Sequence, residues 1–254
     1  MKFLKSCKRV IISFASFLIL WELLCYFGKY NPSLLPPPTM VFASLGQIIK
    51  DGTLFVDIAA SMYRFFAGYL SAVICAVILG GILGWFKKVY AYINPVMQIL
   101  RPISPMAWLP FVVLLAGIGD TPAIIIIFIA AFFPVFTSTA SAIGNIEPIY
   151  FRVAANFNIR QPQLLTKIIL PAAFPQIANA LHIALGTAWI FLVAGEMVGC
   201  QSGLGFLIID SRNNIRSDKL LAAILVIGFI GFILDTVIRQ FEKRVYVRWG
   251  REEK

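Results

Sequence analysis

Charge is scarce in this chain, and so are the residues from which catalytic and metal sites are usually built. Only 13% of its 254 residues are Asp, Glu, Lys or Arg, against about a quarter in soluble globular domains. His182 is the single histidine and has no Cys, Asp or Glu close to it in sequence, so it reads as a hydrogen-bonded packing residue rather than a metal ligand. Cys7, Cys25, Cys75 and Cys200 stand 18, 50 and 125 positions apart without a CxxC. That excludes a disulfide-stapled secreted domain and leaves small packing residues. No Ser/His/Asp set, carboxylate pair or metal cluster stands out, so neither enzymatic activity nor a cofactor in this chain is expected. The phosphate-cradling pattern GxxxxGKS/T is absent as well. Energy must therefore come from another chain's ATP hydrolysis or from an ion gradient. A basic face interleaved with aromatics is missing outside the apolar stretches, which excludes nucleic acid as a partner.

What is abundant is apolar sequence: 59% of residues are hydrophobic and the mean hydropathy is +0.84. No water-soluble fold of this length hides that much apolar surface, so the chain reads as a polytopic membrane protein. About 20 mostly apolar residues cross a bilayer as a helix, and six segments qualify, near Val10–Phe27, Phe65–Phe86, Val89–Gly119, Ala123–Ile143, Ile177–Gly199 and Leu220–Phe241. The first follows a basic start but is longer than a signal-peptide core and lacks a small-residue cleavage site, so an uncleaved span is expected. The third is too long for one straight span and contains Pro95, Pro102, Pro105 and Pro110. Each interior proline removes a backbone hydrogen bond, so a broken or interfacial helix is expected there. Arg101–Pro110, which includes Ser104 and Trp108, is then a candidate lining for a cavity or a subunit interface. Between the first two spans, Gly28–Arg64 is expected on the outer face, with a short amphipathic helix over Thr39–Ile49 after three prolines.

Basic residues fix an orientation. With both termini inside, 15 of the 22 Lys and Arg residues fall on the cytoplasmic side, which the positive-inside rule selects. Anionic lipid headgroups are their expected neighbours. Gly80-x-x-x-Gly84 and Gly195-x-x-x-Gly199 mark places where helices can approach closely. Ionisable residues inside spans are costly and hence functional candidates. Glu22 is near enough to the outer end of its span to reach the interface, and Asp235 is one turn before Arg239, which favours a local ion pair. Arg101 admits either structural pairing or attraction of an anion. Glu196 admits subunit packing, gating or solute contact. The hydroxyl cluster Thr137-Ser138-Thr139-Ala140-Ser141 admits back-bonding to its own helix or a polar path. Arg101, Ser104, Trp108, Thr137 and Glu196 are therefore the path or gate candidates.

The stretch between the fourth and fifth spans, IEPIYFRVAANFNIRQPQLLTKIILPAAFP, is about 30 residues long with three basic side chains. Glu147-Pro148 suits a helix start. A short helix from there groups Tyr150, Phe151, Ala154 and Phe157 at spacings of three and four. Asn158 suits its end, because asparagine tolerates the left-handed conformation. A second helix is expected from about Pro162 to Pro171. The aromatic face suits either a cytoplasmic partner or packing at the interface.

This stretch resembles the EAA loop of ABC-importer permeases, whose pattern is EAA-x3-G-x9-I-x-L-P. Counting back from Ile168-Ile169-Leu170-Pro171, the glycine position holds Asn158, the glutamate position Arg152, and the alanine positions Val153 and Ala154. The spacing and the I-x-L-P end are intact, while the acid has become a base. RPISPMAWLP, AAFFP, LVAGEMVGCQSGLG and AAILVIGFIGFILD resemble, in order, the branch importing nitrate, sulfonates, taurine or bicarbonate. The resemblance implies an all-α polytopic fold of six transmembrane helices, the type I ABC-importer permease fold, with both termini inside. It implies a homodimer lining the path, two ATPase subunits carrying ATP and magnesium, and a periplasmic or lipid-anchored solute-binding protein. Tyr150, Phe151, Arg152, Val153, Ala154, Phe157, Asn158 and Pro171 would form the ATPase-coupling loop. The implied organisation is an N-terminal span and extracytoplasmic segment (1–64), a permease core (65–245) holding the coupling loop (145–175), and a basic cytoplasmic tail (246–254). A small anion is the expected solute. A thiamine-precursor-like heterocycle, or an ion-gradient-driven secondary transporter, are the alternatives.

Overall fold

The structure is a computed structural model that describes residues 2–28, 31, 33–159 and 163–248, and over these it is all-helical. Arg160, the expected helix start at Pro162 and residues 249–254 of the tail lie outside the described residues.

Three long helices make the core: α3 (Thr53–Trp85), α6 (Asp120–Gly144) and α8 (Leu170–Gly199). Along α3 the buried positions Ser61, Arg64, Phe65, Gly68, Ala72, Ala76, Gly80 and Gly84 recur every three or four residues, which puts them on one face. That face lies against α6 with almost no space between backbones. A Cβ on Gly80 would sit 2.8 Å from the Phe136 carbonyl, and one on Gly84 2.6 Å from that of Ala140. Small residues allow this approach, which membrane helices use because apolar burial alone does not drive them together. The pairings Gly68–Ile127 and Gly84–Ala140 show that α3 and α6 run parallel, while Gly195 of α8 meets Ala123 near the start of α6. The starts of α3 and α6 and the end of α8 thus share one end of the bundle, and the 144–170 connection lies at the other.

Around this core lie α1 (Lys2–Gly28), α2 (Pro38–Lys50), α4 (Lys87–Leu100), α5 (Pro105–Ala116), α7 (Pro148–Asn156), α9 (Leu204–Asn213) and α10 (Ser217–Arg248). The short helix expected after the prolines is α2. Its start is tied to α1 by Thr39, whose backbone N–H and hydroxyl donate to Glu22 at 3.4 and 3.2 Å. It is tied to α10 by the buried Ser44–Asp218 hydrogen bond. Among the described residues four helices are long and apolar enough to cross a membrane, and α4 with α5 makes a fifth if that pair, bent by 91°, counts as one span. The bend is the expected break, and it falls at Arg101–Ser104, which contains Pro102 and is followed by Pro105. Large apolar side chains such as Ile74, Ile78, Leu114, Phe229 and Phe232 face outward, as lipid-facing positions must.

Two boundaries differ from the sequence reading. α3 begins at Thr53, well before the expected start at Phe65, and Arg64 lies on its buried face. Its first turns are largely apolar, and the two charges Asp57 and Arg64 interrupt the run that a hydropathy count follows. The helix entering α8 does not stop at Pro171. One apolar helix runs Leu165–Gly199, with a π-helical turn over Leu165–Ile169 just before that proline. The widened turn lies just where the ring of Pro171 would otherwise crowd the preceding carbonyl.

Candidate functional site

Polar residues of the half that holds the 144–170 connection converge on one cavity. Tyr90, Asn94 and Gln98 follow each other at four-residue spacing along α4 and lead to Arg101 at its end. α6 adds Thr137, Ser138 and Ser141, α8 adds Gln176, and together the eight residues line a space of about 310 Å³. Tyr90 anchors α4 to the core, its ring 6.4 Å from that of Phe136. The Thr137 hydroxyl donates back to the Phe133 carbonyl at 2.8 Å, and Ser141 accepts from the Asn145 amide at 3.0 Å. No hydrogen bond engages the side chains of Asn94, Gln98, Arg101, Ser138 or Gln176, and no carboxylate pairs with Arg101, among the described residues. Ser104 precedes α5 at the bend, and Trp108 lines a neighbouring apolar cleft with Ile103, Ala107 and Phe111.

Glu196 sits elsewhere, at the opposite end, in a network that sequence reading missed. Arg64 is 2% exposed and Glu196 1%. The Arg64 guanidinium donates to Asp120 Oδ1 at 2.8 Å, to Glu196 Oε1 at 2.6 Å, and to the Ser202 carbonyl and hydroxyl at 2.8 and 2.7 Å. Glu196 also accepts from the Ser61 hydroxyl at 2.8 Å and the Gly205 N–H at 2.9 Å. The N–H groups of Gly203 and Leu204 donate to Asp57 at 2.8 Å and Ser61 at 2.9 Å. Four segments are thereby locked: α3, the start of α6, the end of α8 and the loop into α9. The loop needs its glycines. Gly203 has φ +106°, and a Cβ there would lie 2.6 Å from the Arg64 guanidinium. Beside this loop, burial pushes the Cys200 thiol up to about 11. The clue to Arg64 was available: it continues the three-and-four spacing that runs through Ser61, Gly68 and Gly80.

A third polar set joins α8 to α10. His182 Nε2 is 2.7 Å from Asp235 and Nδ1 3.4 Å from Glu242, and Asp235 also takes the expected Arg239 pair at 2.9 Å. The carboxylates come from 53 and 60 residues away, so no local pattern announces them. No cluster of three metal-binding side chains occurs among the described residues.

In the loop, α7 starts at Pro148 as expected and ends in a Schellman arrangement. The Ile159 N–H reaches the Ala154 carbonyl at 2.9 Å and the Asn158 N–H that of Ala155 at 3.0 Å, with Asn158 at φ 54°. The expected aromatic group divides. Ala154 is buried, and Phe151 packs among Ile143, Ile169, Ala173 and Ile177 with its ring 6.3 Å from Trp85. Tyr150, Arg152, Val153 and Phe157 face outward, Phe157 at 75% exposure. Pro171 lies inside the helix of the next span.

Residues 72–247 match the family described as binding-protein-dependent transport system inner membrane component. The chain is 32% identical over 236 residues to the taurine transport system permease protein TauC of Escherichia coli (strain K12), covering 91% of this chain and 86% of that one. To the nitrate import permease protein NrtB of Leptolyngbya laminosa it is 33% identical over 254 residues, 95% and 89% of the two chains. To the putative aliphatic sulfonates transport permease protein SsuC of Bacillus subtilis (strain 168) it is 30% identical over 235 residues, 92% and 85%. An inward-facing crystal form of the MetNI methionine ABC transporter shares the fold, with a TM-score of 0.53 at 20% identity over 74% of this chain and 94% of that one. A partner ATPase and a solute-binding protein follow from the family. This chain belongs to the binding-protein-dependent transport system inner membrane components: it is a multi-pass permease subunit of an ABC importer, not itself an enzyme, on the branch that includes the taurine, sulfonate and nitrate permeases.

Proposed function

We propose that two copies of this chain form the translocation path for a small oxyanion of the nitrate, sulfonate, taurine or bicarbonate kind. One observation carries the substrate class: the taurine, nitrate and sulfonate permeases are each matched along nearly their whole length. In this reading α1 is the first of six spans, both termini are cytoplasmic, and lipid headgroups neutralise the basic ends. Residues 1–64 supply the N-terminal span and outer segment, 65–245 the core with coupling loop 145–175, and 246–254 the tail. Two ATPase subunits bind ATP and magnesium, and a periplasmic or lipid-anchored protein delivers solute. Binding protein outside and nucleotide inside bias one inward–outward equilibrium. Tyr150, Val153 and Phe157 form the face that enters the ATPase, and Arg152 borders it. Phe151 and Ala154 seat α7 on the permease, Asn158 closes it, and Pro171 sets the entry of the next span. Arg101, Ser104, Trp108 and Thr137 line the path, and Glu196 braces its outer gate.

The test is uptake into proteoliposomes holding the permease, its ATPase and its binding protein. ATP-driven entry of labelled nitrate, taurine or bicarbonate is expected, with both ATPase retention and uptake lost in Phe157→Asp. Phe151→Ala, by contrast, should weaken the fold by about 1–2 kcal/mol because its ring is packed in the core. Uptake of a thiamine-precursor pyrimidine in place of every oxyanion would replace the substrate class. ATPase retained in full by Phe157→Asp would move the docking face off α7.

A further inference from the structure

We propose that the turn between α9 and α10 is a docking knob for the solute-binding protein, with Ile215 as its apolar tip and Arg212 as the charge beside it. The inference rests on the importer reading above and adds where, on the end of the bundle away from α7, the delivering protein makes contact.

The backbone points there first. α9 ends in a Schellman arrangement: the Arg216 N–H reaches the Ser211 carbonyl at 2.8 Å and the Ile215 N–H that of Arg212 at 3.1 Å. The left-handed position of this motif, usually a glycine, is held by Ile215 at φ 56°. A β-branched side chain there crowds its own backbone, whereas asparagine tolerates the conformation, and Asn213 and Asn214 stand immediately before it. Packing gives no reason for the isoleucine, since it is 71% exposed. Folding alone is thus better served by another residue, and the strain persists because the surroundings fix the turn. The inner face of α9 is buried at Leu204, Leu207 and Ser211. Arg216 holds Asp218 through hydrogen bonds of 3.0 and 2.8 Å, and the Ser217 and Asp218 side chains are tied to Ser33 and Ser44. Ile215 is therefore a bare apolar tip on a rigid mount. A fluid lipid surface does not require so fixed a contact, but a folded partner with a matching hollow does.

The charges give the partner's chemistry. Arg212 and Arg216 flank the tip; Arg216 is taken by Asp218, while Arg212 has no carboxylate partner among the described residues. An apolar hollow with a carboxylate on its rim complements this pair. A second copy meeting the turn across a two-fold axis would instead set Arg212 against its own like. At the other end of α9 the Gly203 N–H donates to Asp57 and the Leu204 N–H to Ser61, beside Arg64 and Glu196. A partner seated on the tip thus bears on an element that continues into that buried network.

The test measures how tightly the solute-loaded binding protein of the uptake assay binds the permease–ATPase complex in nanodiscs, beside thermal stability. Ile215→Gly and Ile215→Asn should each weaken binding at least about tenfold while leaving the unfolding midpoint equal or higher, a combination that a merely structural residue does not give. Arg212→Gln should weaken binding about three- to tenfold, with the larger loss at low salt. Binding unchanged in all three variants overturns the knob and leaves the importer reading standing. A lower unfolding midpoint in both Ile215 variants overturns it too, making the isoleucine a packing residue. So does a change in oligomeric state, or in dependence on anionic lipid, at unaltered affinity for the binding protein, which would assign the turn to a second copy or to headgroups. An intact importer that takes up solute without any binding protein overturns the reading on which the inference rests.

Discussion

Arg64 and Arg101 lie toward opposite ends of the same bundle and have opposite fates. Arg64 is buried and donates to four acceptors on three other segments, and Glu196 accepts from Ser61 and Gly205 as well. Arg101 is exposed, pairs with no carboxylate among the described residues, and faces a cavity whose amides are equally unengaged. A charge whose valences are filled builds structure; one whose valences are open is available to something that arrives. The end of the bundle that holds Arg64 is thus a latch, and the end that holds α7 offers a polar cavity and an exposed apolar helix face.

Breaking the latch should have the largest effect. Removing one partner of a buried pair leaves the other uncompensated, which costs about 3–5 kcal/mol. Arg64→Met and Glu196→Met should therefore each collapse thermal stability in detergent, followed by size-exclusion chromatography. The double substitution should recover much of the loss, because it removes both charges. Arg101→Gln should change stability by less than about 0.5 kcal/mol. A fall in Arg101→Gln comparable to that in Arg64→Met would erase the contrast between the two ends.

Gly203→Ala tests the latch more gently. Its φ of +106° and the nearby Arg64 guanidinium leave no room for a methyl, so a destabilisation of about 1–3 kcal/mol is expected. Cys200 reports the same event chemically. With its pKa raised by burial to about 11, roughly one thiol in a thousand is ionised at pH 8, so alkylation should be slow. Once the loop loosens and water reaches the sulfur, the pKa falls and labelling should accelerate severalfold. Identical labelling rates in the two proteins would mean that Gly203 does not hold this loop.

Much of this was legible in the sequence, and the misses have physical causes. Prolines around Arg101 gave away the bend, because a missing N–H and a fixed φ act locally. The small residues of Gly80 and Gly84 marked the tight α3–α6 contact, and the four-residue offset found the Asp235–Arg239 pair. The helix start at Thr53 and the burial of Arg64 were missed because hydropathy weighs charge as exposure. The periodicity of its own helix would have placed it inward. Pro171 was read as a stop because nothing local signals a π turn. The partners of His182 depend on how α8 meets α10, which no stretch of one helix records. Phe151 and Phe157 share an aromatic pattern, but Phe151 meets the packed residues of α6 and α8 while Phe157 stands bare at the end of α7, contacts that the loop's own sequence does not record.

The smallest expected effect lies at the end of α7, where Asn158 fills the position that glycine holds in the resembling pattern. Its φ of 54° is left-handed, a conformation asparagine tolerates and glycine adopts freely, whereas a β-branched residue meets its own backbone. Asn158→Gly should therefore be nearly neutral, within about 0.5 kcal/mol, since the relieved strain is offset by the greater freedom of glycine in the unfolded chain. Asn158→Val should cost about 1–2 kcal/mol and fray the last turn of α7. The useful measurement is ATPase retention beside thermal stability. If Asn158 acts only through backbone geometry, Asn158→Gly keeps both and Asn158→Val lowers both together. An ATPase lost from Asn158→Gly at unchanged stability would show instead that the side-chain amide itself touches the partner, making the coupling end a surface of specific polar contacts as well as apolar ones.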